Sequence, residues 1–65
     1  MWYEQAKAKY GRDLVDRLMI FLGGNYSTIK NEETGEYDWY LPTGLVMAFE
    51  RRENLPNDQR LFPQP

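Results

Sequence analysis

The chain has 65 residues, no cysteine, no histidine, and a formal charge of −2 from ten acidic against eight basic side chains. A chain of this size makes one domain with a thin core, burying about 60% of the surface its unfolded form exposes. Disulfides, thiolate metal sites and imidazole general bases are excluded outright. The staples left to so small a fold are oligomerisation or a partner. Five tyrosines, three phenylalanines and two tryptophans suit that purpose, since rigid amphipathic rings are favoured at interfaces.

In chain order, Tyr3, Ala6, Tyr10, Leu14, Leu18 and Phe21 recur at helical spacing and predict one amphipathic helix over residues 2–22, closed by Gly23-Gly24. Gly11 interrupts it at a cost of about 1 kcal/mol relative to alanine. The apolar phase runs through it unslipped, which favours an unbroken helix; the alternative is a break at "YGRD" with a second helix starting near Asp13. Next, "YSTIK" and "EYDWYL" flank "NEETG" and predict a hairpin. Its loop would be Glu33, Thr34 and Gly35, with glycine in the left-handed position. That register sets Lys30 across from Asp38, an opposite-charge pair, Ile29 across from Trp39, and Thr28 across from Tyr40.

"PTG", residues 42–44, predicts a second turn, and the apolar run Leu45 to Phe49 a third strand. With a three-residue loop, Leu41 pairs with Leu45, Trp39 with Met47 and Tyr37 with Phe49. The expected fold is therefore α+β: one N-terminal helix packed on a three-stranded antiparallel sheet, α-β-β-β, with Ile29, Tyr37, Trp39, Leu41, Leu45, Met47 and Phe49 beneath the helix. Residues 1–53 form the single domain, and 54–65, with three prolines and no periodicity, an irregular tail.

The register leaves a second face. Tyr26, Thr28, Tyr40, Val46 and Ala48 would form its centre, with Lys30, Asp38 and Glu50 as a charged rim, the layout of an interface. Met19 and Ile20, off the helix stripe, extend it. The alternative is that the tail folds back, with Leu61 and Phe62 covering Val46 and Tyr40.

Motifs for chemistry are absent. "LPTG" differs in spacing from a sortase signal, and the sequon "NYS" carries no meaning without secretion. The basic residues are interleaved with acidic ones, against a dedicated nucleic-acid binder. The carboxylate pairs stand where they would be wet, and Gly23-Gly24 follows a helix instead of opening one. No cofactor or metal is expected. Without an apolar signal segment the expected location is the cytoplasm. The sequence points to a small non-enzymatic protein-binding module, an inhibitor or modulator of a larger macromolecule, similar as a class to the host-directed inhibitors of phages and mobile elements. A homo-oligomer built through the second face is the alternative, and a nucleic-acid accessory protein a weaker one.

Overall fold

The computed structural model describes every residue from Met1 to Pro65. It replaces the single helix with two, α1 (Tyr3–Tyr10) and α2 (Arg12–Leu22), and the third strand with a third helix, α3 (Thr43–Glu53). Between them lies one two-stranded antiparallel hairpin, β1 (Ser27–Lys30) and β2 (Tyr37–Tyr40). The fold remains α+β, but the α-β-β-β arrangement is corrected to α-α-β-β-α. No helix is long and apolar enough to cross a membrane.

The break falls at Gly11, whose φ of 84° and ψ of 172° lie in a region open essentially to glycine alone. Its N–H still closes α1 on the Lys7 carbonyl, and its own carbonyl accepts the Val15 N–H as the first bond of α2. One residue thus ends one helix and begins the next. The uninterrupted apolar phase missed this because spacing alone does not register a break confined to one residue, with Tyr3, Ala6 and Tyr10 on one side and Leu14, Leu18 and Phe21 on the other. After the turn Val15, Leu18 and Leu22 are fully buried with Ala6, while Leu14 and Phe21 are only partly so. Gly23, at φ 60° and ψ 30°, stops α2 with its N–H on the carbonyls of Ile20 and Met19.

The run Leu45 to Phe49 is helical because it does not stop where a strand would. It continues without a turn residue through "ERRE" to Asn54, giving eleven residues made mostly of good helix formers. Pro42, at φ −66°, precedes the first turn, and its carbonyl accepts the Val46 N–H. Asn54 ends the helix in the left-handed conformation. Helical spacing turns Val46, Phe49 and Glu50 inward together, whereas a strand would have sent Val46 and Phe49 to opposite faces.

The core is Ala6, Val15, Leu18, Leu22, Leu41, Val46 and Phe49, gathered from the three helices and the residue after β2. Phe49 lies 5.7 Å from Phe21 and 5.9 Å from Tyr10 between ring centroids. The tail is irregular apart from one 3-10 turn, Asn57–Gln59, and it folds back. Leu55 is buried, Leu61 and Phe62 pack on the core, and the Asn57 side chain donates to the Gln64 carbonyl and accepts its N–H.

Glu50 ties these parts together. Its side chain is fully buried and accepts the Tyr10 hydroxyl at 2.5 Å, the Leu61 N–H at 2.6 Å and the Phe62 N–H at 3.2 Å. The expectation that Glu50 belongs to a wet rim is thereby overturned. Burial first, then this hydrogen bond and the carboxylate's charge, push the Tyr10 phenol far above its ordinary value, with Arg60 opposing weakly.

Candidate interaction surface

The hairpin stands outside this core. Seven of its eight strand residues are exposed and the eighth, Asp38, is half-buried, so neither face of the sheet is sealed from solvent. A lone two-stranded hairpin is marginal in water, and this one is held at its two ends. At the open end the Met1 ammonium donates to the Leu41 carbonyl at 3.0 Å, the Leu41 N–H donates to Met1 at 2.6 Å, and Trp2 bridges to Tyr40. Burial lowers the tendency of that ammonium to hold its proton. At the loop, buried Asn31 makes three bonds: its Oδ1 accepts the Glu33 N–H, its carbonyl the Gly35 N–H, and its own N–H meets the Glu36 carbonyl.

Those bonds make a four-residue loop, Glu32 to Gly35, where three residues were expected. The pairing moves by one position: Ser27 faces Tyr40, Thr28 Trp39, Ile29 Asp38 and Lys30 Tyr37. A slip of one residue exchanges faces, so Lys30 and Asp38 are not a cross-strand pair and Thr28 is not opposite Tyr40. One face now carries Thr28, Lys30, Tyr37 and Trp39. There the Trp39 ring meets Tyr3 at 5.0 Å and Tyr26 at 5.3 Å between centroids. The other carries Ser27, Ile29, Asp38 and Tyr40, with Trp2 edge-on to Tyr40 at 5.0 Å.

Of the residues singled out in the sequence, Tyr26, Thr28, Lys30, Asp38 and Tyr40 do fall on the hairpin or at its base, though on two faces instead of one. Val46 has no exposed surface and cannot meet a partner; Ala48 is half-buried on α3. Met19 packs against the core, and Ile20, 80% exposed, borders a separate open groove between α2 and α3. That groove is crossed by the Arg17–Glu53 ion pair at 2.8 Å and overhung by Arg52, 5.7 Å from the Phe21 ring centre. Sequence reasoning missed Tyr37, Trp39 and Ile29, which it placed under a helix. They are 74%, 38% and 43% exposed. The signal that could have found them is aromatic residues at both odd and even positions of "YDWY", which no single covered face accommodates.

Charge is concentrated in the same element. From Ser27 to Tyr40 there are four carboxylates, Glu32, Glu33, Glu36 and Asp38, against the single ammonium of Lys30, leaving −3. The rest of the chain, with seven basic and six acidic side chains, carries +1. No group of three or more acidic side chains is placed to hold a metal ion. No protein-family model, curated protein or solved structure matches the chain.

Proposed function

We propose that the protein is a non-enzymatic binding module that docks its hairpin on a larger protein and blocks or redirects it. The observation that carries this reading is the exposure of Ile29, Tyr37, Trp39 and Tyr40 on an element that contributes nothing to the core. Exposed aromatic side chains on a stapled scaffold are the material of interface hot spots, because they lose little rotamer freedom on binding and bury large areas. Chemistry has little to work with here: the one fully buried carboxylate, Glu50, is engaged by Tyr10 and two backbone amides. The acidic finger also disfavours phosphate backbones.

Affinity capture from the lysate of the native host tests the reading. The wild-type chain retains a protein that the Tyr37→Ala/Tyr40→Ala double variant, equally folded by circular dichroism, releases. Equal retention by both chains would remove the hairpin from the interface.

A further inference from the structure

The two edges of the hairpin differ. Since the Asn31 N–H bonds the Glu36 carbonyl, the ladder alternation turns Ile29 and Ser27 toward β2, and the N–H and C=O groups of Thr28 and Lys30 outward. The outer edge of β2 is blocked by the protein itself from Trp39 to Leu41. Met1 takes both backbone groups of Leu41, Trp2 bridges Tyr40, and the Trp39 N–H is held by the Asp38 carboxylate at 2.8 Å. No backbone of this chain pairs with the outer edge of β1, whose four residues are all exposed, and its shortness and Lys30 are its only guards. Unprotected edges pair with other strands, and proteins that gain nothing from pairing usually blunt them.

From this one-sided edge we infer that β1 receives an extended, positively charged segment of the partner as a third strand. The inference rests on the proposed binding role and names the chemistry of what is bound. The positive charge follows from complementarity: the hairpin holds four carboxylates and one ammonium, so an arginine- or lysine-bearing strand is drawn in and an acidic one repelled. Side chains of the added strand that point to the Thr28 face beside Thr28, away from the like charge of Lys30 on the same face, run toward Tyr26 and Trp39. Those rings offer an arginine cation–π contacts while the new backbone bonds supply affinity. A second copy of this chain fits the edge less well, because each hairpin would bring its own −3 against the other.

The test uses the full ¹⁵N-labelled chain and three synthetic octapeptides: alternating Arg-Thr, alternating Glu-Thr, and Arg-Thr with every amide N-methylated. Expected is saturable binding of Arg-Thr that weakens with added salt, with the largest amide shifts at Thr28 and Lys30. Binding of the N-methylated form should fall by at least about tenfold, as for one or two lost backbone hydrogen bonds. Thr28→Pro, which removes an outward N–H and spares the β1–β2 ladder, should weaken Arg-Thr binding similarly. Equal binding of the N-methylated peptide, or shifts confined to Glu32 to Glu36, would reduce the contact to charge alone and overturn the strand pairing. So would no binding at all, or tighter binding of Glu-Thr. A doubled sedimentation mass of the free chain, lost in Thr28→Pro, would put a second copy on the edge and overturn the assignment. Failure of the capture experiment with these peptide results intact would strike the proposed function and leave the edge standing.

Discussion

In α2 and α3 every large inward side chain has a neighbour, and Val15, Leu18, Leu22, Val46 and Phe49 are sealed from solvent; in the hairpin between them Ile29, Tyr37, Trp39 and Tyr40 stay partly open to water. Large apolar and aromatic side chains have opposite fates because of how each element is held. The helices are fixed by burial, so their apolar atoms are spent on stability. The hairpin is fixed by hydrogen bonds at its ends, Met1 to Leu41 and the loop around Asn31, with Trp39 resting on Tyr3 and Tyr26 and Tyr40 on Trp2, so much of its aromatic surface remains open for other use. In so small a chain the polar staples are what release aromatic surface from structural duty.

The contrast makes substitutions in the two regions behave differently, and the largest effect belongs to the core. Val46→Asp should abolish folding, since an unpaired carboxylate in a sealed site costs more than a chain of this size holds in total, about 3–10 kcal/mol. A folded Val46→Asp by circular dichroism would return that side to the surface. Glu50→Ala should cost about 2–4 kcal/mol in urea denaturation, because it leaves the Tyr10 hydroxyl and two backbone amides without an acceptor. Hydrogen exchange at Leu61 and Phe62 should rise with it, and unchanged protection there would mean that packing alone holds the tail.

Gly11→Ala should cost about 1–3 kcal/mol, as the backbone conformation there suits glycine only. A β-carbon at Gly11 would meet nothing within 4 Å, so the whole loss is conformational; a neutral result would mean the helices can re-form as one. In alkaline titration Tyr10 should keep its proton beyond the ordinary tyrosine value. Its folded value is raised, so its contribution to stability is complete below the ordinary tyrosine value of 10 and is lost as pH climbs past it. An ultraviolet phenolate signal at the ordinary tyrosine value, present before unfolding and missing in Tyr10→Phe, would contradict this. The smallest effect is expected in the hairpin: Tyr37→Ala should move stability by no more than about 0.5 kcal/mol. A loss of several times that would make the hairpin part of the core after all.

Local signals read correctly from the sequence were those with a single physical solution. Gly23 ends α2, and Gly35, at φ 76°, closes the hairpin loop. What failed were choices between near-equal alternatives. Loops of three and four residues both suit "NEETG", and the deciding contact, the Asn31 side chain on the Glu33 amide, is a detail of geometry. The run "LVMAF" is apolar enough for a strand or a buried helix, and the discriminating fact was the uninterrupted polar continuation to Asn54. That error moved Val46 into the candidate site and Tyr37 and Trp39 out of it. Glu50 could not have been found from sequence, because its partners lie forty residues upstream and eleven and twelve downstream.

The knot at Glu50 has a kinetic corollary. A carboxylate that must leave water can settle only when the phenol from the first helix and the amides from the last residues arrive together, so neither end of the chain can order ahead of the other. Sequence-distant closure of this kind slows folding relative to a bundle of local turns, and Tyr10 and Leu61 should lock in a shared late step at one observable rate.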